Sequence, residues 1–268
     1  MKLYDADYTK LSSEDEAKYR SLQQTELVGK FGQFEIRRSR FREYPKAVRH
    51  FIHLFPNNYL DIIELQDELP LNMLLESFQD LISSENVKER QILNFIVEKQ
   101  AYFIVASILN KYFNFGHHEA YLFPEFQMGN SYQVDYLIIG KSSDGWHFVF
   151  VELEAVLGGI TLSDGDLGST FRKGMKQVFE WDTWLESRYA SFSESLDKVN
   201  QLNSQLPQEF TQLDKSRIHY VIVAGRRNDF NDKTYRIRRK KQKDSSELLL
   251  HYDNLVDAAK NIIGKSSY

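Results

Sequence analysis

The stretch 131-SYQVDYLIIGKSSDGWHFVFVELEA-155 decides how this chain is read. It holds two apolar, strand-like runs, "YQVDYLII" and "HFVFVELEA", joined by "GKSSDG", whose Gly, Ser and Asp residues favour a short turn. The runs therefore form an antiparallel hairpin. Residues two apart on a strand share a face, so Glu152 and Glu154 point together while Val151 and Leu153 point into apolar packing. Asp135, on the preceding strand, is brought close to them by the hairpin. Acidic residues are poor strand formers, and a cluster of like charges is costly unless a cation sits in it or one group is protonated. A hard divalent ion, Mg²⁺ above all with Mn²⁺ second, suits such an all-oxygen donor set. It would polarise a phosphoryl oxygen and acidify a water, the two needs of phosphodiester hydrolysis. Asp135 and Glu152 are then the candidate ligands, and Glu154 is a further ligand or the base that orients the attacking water. On carboxylates alone, ordinary strand-edge acids and a glycosidase acid pair both stay open.

Outward from the hairpin, "EAYLFPEFQM" at 119 to 128 precedes it as a first strand, so three strands form a meander. Before them lies one long apolar helix, "ILNFIVEKQAYFIVASILNKYF", ending near Gly116, with Asn86 and Glu89 spaced as an N-cap and its reciprocal partner. After them come a glycine-rich connection, the helix "STFRKGMKQVFEWDTWLESRYA", a polar insert to about 215, the buried strand "RIHYVIVAGRR", the short strand "ELLLHYD" and a closing helix. This order makes an α/β core with a mixed sheet. Residues 1–85 read as an N-terminal α+β accessory domain and 86–268 as the main domain. Arg37, Arg38, Arg40, Arg42 and Arg49 are spaced for a basic patch, although a solvated face or partner contact is the commoner use of such a run.

The totals exclude several classes. The chain has no cysteine, so disulfides, thiolate metal sites and a cysteine nucleophile are absent. No run approaches the roughly 18 apolar residues of a membrane span, and the start lacks a secretory signal, so a soluble cytoplasmic protein is expected. With 34 basic against 38 acidic residues the net charge is -4, and any nucleic-acid binding must come from local patches.

With Asp135, "VELE" and "GMKQVFEWDTWLE" in place, the chain resembles the PD-(D/E)XK nuclease superfamily, and within it the Shedu anti-phage defence nuclease domain. The motifs that carry the likeness are "FPEFQMG", "QVDYLII", "FVELEA", "KQVFEWDTW", "YVIVAGRR" and "LLLHYDNLVD", in that order across about residues 87 to 263. The resemblance implies a restriction-endonuclease-like αβββαβ core flanked by helices, Mg²⁺-dependent cleavage of DNA in antiviral defence, and a homo-oligomer. The superfamily pattern puts a lysine two residues after the glutamate, whereas this chain has Glu154 there. Its place falls to the helix, where Lys173, Lys176 and Gln177 can share a face near the acids. Gln177 resembles the family's helix glutamine, and Lys173 or Lys176 would supply positive charge to the transition state. Glu125 is a candidate further ligand or a neighbour tuning Lys176. The missing lysine also motivates an alternative, an inactive module of the same fold that binds DNA, DNA ends or a protein partner.

Trp181 and Trp184, at helical spacing from Gln177, read as core packing, and His117 and His118 as surface residues at a helix end. The segment from Arg226 to Lys243 is densely basic. Arg226, Arg227, Arg236, Arg238, Arg239 and Lys240 are its candidate DNA contacts, against the reading of a solvated hairpin.

Overall fold

A computed structural model describes residues 2–38, 40, 43–200 and 205–268. In chain order the elements are α1 (Ser13–Glu26), β1 (Leu27–Phe31), β2 (Phe34–Arg37), α2 (Pro45–Ile52), α3 (Glu68–Ile82), α4 (Glu89–Glu98), α5 (Phe103–Ile108), β3 (Glu119–Met128), β4 (Tyr132–Ser142), β5 (Gly145–Leu153), α6 (Ser169–Asp197), α7 (Gln208–Thr211), β6 (Ile218–Val223), α8 (Asp232–Ser245), β7 (Glu247–Leu250) and α9 (Tyr252–Ile262). Strands β3 to β7 form one five-stranded sheet in sequence order. The first three are antiparallel, as the short turns require, and β6 and β7 add parallel to β5 after helical crossovers. The sheet is therefore mixed, with helices on both faces.

Alternation along the strands divides the core into two layers. On β5, Val149, Val151 and Leu153 pack with α3, α4, α5 and α9. Phe148 and Phe150 face the other way, onto α6 through Val178, Trp181, Leu185 and Phe192. Trp181 is thus core, and Trp184 packs partly buried against the same layer. The N-terminal segment is not uniform. Leu60, Leu65, Leu75, Phe78 and Ile82 belong to the first layer and Phe55 and Tyr59 to the second. Leu60 N–H donates to the Ala120 carbonyl at 2.9 Å, which ties this segment to the first half of the β3 edge.

Three local expectations are corrected. The long apolar helix is broken into α4 and α5, bent by 104°. The break is Gln100, at φ 51°, with Ala101 N–H donating back to the Ile96 carbonyl, a left-handed helix end made without the usual glycine and so without a sequence signal. The N-cap of α4 is Lys88, whose N–H is held by Gln91 at 2.9 Å, and not Asn86. From Asp232 on, the basic stretch is the helix α8, capped by Asn231, and not a hairpin. No single described helix is long and apolar enough to cross a membrane.

Of the N-terminal arginines, Arg42 lies outside the described residues. Arg40 is paired with Glu43. Arg49 is buried, bonded to Asp61 and packed over the rings of Tyr4 at 4.3 Å and Tyr8 at 4.4 Å, so it faces no surface.

Candidate active site

The β4–β5 ladder runs from Ser142↔Gly145 to Tyr136↔Val151 and stops there. One step further would set Asp135 opposite Glu152. At that step the Leu153 N–H donates to the Asp135 carboxylate at 2.7 Å, so a side chain takes over where backbone pairing ends. Across the other edge of β4, Pro124↔Tyr136 and Phe126↔Val134 bracket Glu125 and Asp135. Glu125, Asp135 and Glu152 thus lie in one row across three strands. Alternation slips at this row: Phe123 and Phe126, three apart, both face the α6 layer, and so do Val134 and Leu137. Strict alternation cannot produce that, and the slip marks where the sheet opens.

Glu152 and Glu154 continue the Phe148 and Phe150 face, which places them beneath the first turns of α6. That helix approaches closely because Gly174 has no side chain, and a Cβ there would come within 2.7 Å of Ile222 and 3.3 Å of Glu154. Lys173 then donates to Glu154 at 2.8 Å, and Gln177 lies near enough to Glu152 to favour its charged form. The Tyr252 hydroxyl, at the start of α9, donates to the Glu154 carbonyl at 2.7 Å and fixes the backbone from the opposite layer. Of the two candidate lysines, only Lys173 reaches the acids. Lys176 is 78% exposed and faces Glu180 at 3.8 Å.

Burial dominates the electrostatics. It pushes the Glu152 carboxyl up to about 9, helped by the charges of Asp135 and Glu154 and opposed by Lys173 and Gln177. It pushes Asp135 up to about 7 against the Leu153 hydrogen bond, with Glu89 and Glu154 adding to the rise. Glu154 is raised by burial and restrained by Lys173. Lys173 loses solvation, yet its bond to Glu154 and the surrounding acids hold its proton more tightly than usual. Without a cation, Asp135 and Glu152 hold their protons more tightly than ordinary carboxyls do.

Glu89 is the site residue that sequence reasoning missed. It opens α4, in the opposite layer, and reaches Lys173 at 3.7 Å across the end of the sheet. Its spacing suits a capping partner and gives no other signal; Gln91 does the capping and leaves Glu89 free for the site.

The donors fit a hard divalent cation in kind. They are oxygens throughout, and Glu154 Oε1 and Gln177 Oε1 are buried without a hydrogen-bond partner. Among the described residues no three His, Asp or Glu side chains are grouped so as to hold a metal ion, and Asp135 and Glu154 each give one oxygen to a protein donor, Leu153 N–H and Lys173. An open carbohydrate cleft is not supported: Trp146 and Trp181 are buried and Trp184 is partly so.

The basic segment separates into two roles. Arg226 bonds Asp253 at 2.8 and 3.1 Å and the Ile82 carbonyl at 2.6 Å, and Arg227 pairs with Asp257 at 2.5 Å. Arg238 lies over Tyr112 and Lys241 pairs with Glu247. Arg236, Arg239, Lys240 and Lys243 are exposed and without ion pairs among the described residues. Their spacing of three, four and seven puts them on one face of α8. His117 and His118 are exposed.

These features define a mixed α/β protein with a carboxylate site at the open end of its sheet. Residues 86–256 match the family model of the Shedu protein SduA, C-terminal, and the chain belongs to this anti-phage defence family. No curated protein matches the chain by sequence.

Proposed function

We propose that this chain is a Mg²⁺-dependent DNA endonuclease of anti-phage defence, with the PD-(D/E)XK core that its motifs resemble. The observation that carries the reading is the placing of Asp135 and Glu152 one step past the last backbone pair of β4 and β5, close to Lys173 and Gln177 from a single helix. Asp135, Glu152 and Glu154 are the residues to hold the cation, which when bound neutralises phosphoryl charge and acidifies a water. Glu154 orients the attacking water and accepts its proton. The water oxygen forms a bond to phosphorus as the bond to the leaving sugar oxygen breaks. Lys173 sits where negative charge grows on the phosphoryl oxygens, and Gln177 keeps Glu152 in place. The free cationic face of α8 holds the duplex by its phosphates. The work is done in the cytoplasm by a homo-oligomer.

Purified protein should nick or cut plasmid DNA with Mg²⁺ and not with EDTA, and Glu152→Ala should abolish the cut. Cleavage that survives Glu152→Ala would remove this site. A second reading, a module that binds DNA without cutting it, is favoured by the Lys173–Glu154 pair standing where the superfamily pattern has a strand lysine. DNA binding by α8 without any cleavage or cation uptake would select it.

A further inference from the structure

We propose that Arg90 is the seat for a backbone phosphate flanking the scissile one, held in position by Glu125; this rests on the nuclease reading above. Arg90 stands in the first turn of α4, next to Glu89, and its Nη1 donates to Glu125 Oε1 at 2.7 Å. The register sets Glu125 opposite Asp135, so the tether places the guanidinium beside the carboxylate row. Arg90 and Asp135 lie within electrostatic reach of one another.

Three observations point to a ligand rather than an ordinary surface pair. First, Glu125 has φ 47°, a left-handed conformation inside a strand, which a side chain with a Cβ adopts only at a cost. An exposed ion pair contributes too little to offset that. Second, Arg90 is 66% exposed and uses one of its five N–H donors, which leaves the rest of the fork open to solvent. Third, the Tyr136 hydroxyl is buried without a hydrogen-bond partner and feels the charges of Asp135, Glu125 and Arg90. The row of acids repels a polyanion, and Lys173 is already engaged by Glu154 and Glu89. Arg90, whose guanidinium keeps donors beyond its bond to Glu125, can counter that repulsion on the α4 side. Beyond Glu125 a 640 Å³ groove continues along β3, lined by Gln127, Asn130, Gln133 and Lys198, with room and hydrogen-bonding groups for the adjoining nucleotide. Glu125 is in this account a tether and not a cation ligand.

The test is fluorescence anisotropy of a labelled blunt duplex with the full chain in Ca²⁺, titrated with salt, for wild type, Arg90→Ala, Arg90→Lys and Glu125→Gln. Arg90→Ala should bind about tenfold more weakly, with a log–log salt slope shallower by about one. Arg90→Lys should keep the slope, because it keeps the charge. Glu125→Gln should weaken binding by less and leave the slope unchanged. Under cleaving conditions Arg90→Ala should raise KM while the Mg²⁺ midpoint stays in place. A slope for Arg90→Ala equal to that of wild type overturns the proposal. Binding by wild type without any cleavage in Mg²⁺ instead overturns the nuclease reading, and the salt slopes still decide whether Arg90 holds a phosphate.

Discussion

The Asp135 carboxylate receives the Leu153 N–H at 2.7 Å, one step beyond the last backbone pair of β4 and β5. The residue is thus a structural plug and a candidate ligand at once, and two substitutions separate the roles. Asp135→Asn keeps an oxygen acceptor for Leu153 and removes the charge, so it should fold at least as stably as wild type and lose cleavage. Asp135→Ala leaves a buried N–H unpaired and should cost about 1–3 kcal/mol by urea unfolding as well.

The buried acids make stability depend on pH in a definite direction. Asp135 and Glu152 bind protons more tightly in the folded protein than in an unfolded chain. The stabilisation that results is complete below the unfolded carboxyl range near 4, and is lost as pH rises through about 7 for Asp135 and about 9 for Glu152. The cation-free protein should therefore melt at progressively lower temperature from pH 5 to 9. Mg²⁺ should restore Tm, and restore it more at pH 9 than at pH 6. Glu152→Gln, which mimics the neutral acid, should raise the cation-free Tm at pH 9 by about 3 °C or more. A Tm insensitive to both pH and Glu152→Gln would contradict the assignment.

Lys173 and Lys176 are three residues apart and have different surroundings. Lys173→Ala leaves Glu154 buried without its counter-charge and should both destabilise the fold and reduce kcat by about 10²-fold or more. Lys176→Ala, which removes only an exposed pairing with Glu180, should leave Tm unchanged and kcat within about twofold. Comparable losses for the two would mean that α6 is rotated from the position described.

The basic segment divides in the same way. Replacing Arg236, Arg239, Lys240 and Lys243 by alanine should preserve Tm and flatten the salt dependence of duplex binding by about 0.9 for each phosphate no longer neutralised. Arg226→Ala should instead cost about 2 kcal/mol, because it opens the bonds to Asp253 and Ile82. Thermal melts run beside binding titrations distinguish the two classes.

Much of this arrangement is legible in residues 119–155, because antiparallel strands with short turns fix their own register. Alternation places Glu152 and Glu154 on one face, and the turn at Ser143 and Asp144 places Asp135 beside them. What escapes is long-range or carried by exceptions to local rules. Glu89 joins the site only because α4 crosses the end of the sheet from the other layer. The left-handed conformations of Gln100 and Glu125 occur at residues whose type gives no hint of them. Arg226 and Arg227 read as free charge until Asp253 and Asp257, nearly thirty residues on, are folded against them.

If Asp135 and Glu152 hold protons until a divalent cation displaces them, cation uptake and proton release must go together. Calorimetric titration of the DNA-free protein with Mg²⁺ at pH 8, in two buffers of different ionisation enthalpy, measures both cation uptake and the protons displaced. Binding at one site with release of about one proton is expected, and loss of both in Glu152→Gln. Binding without proton release, or binding unchanged by Glu152→Gln, would contradict it.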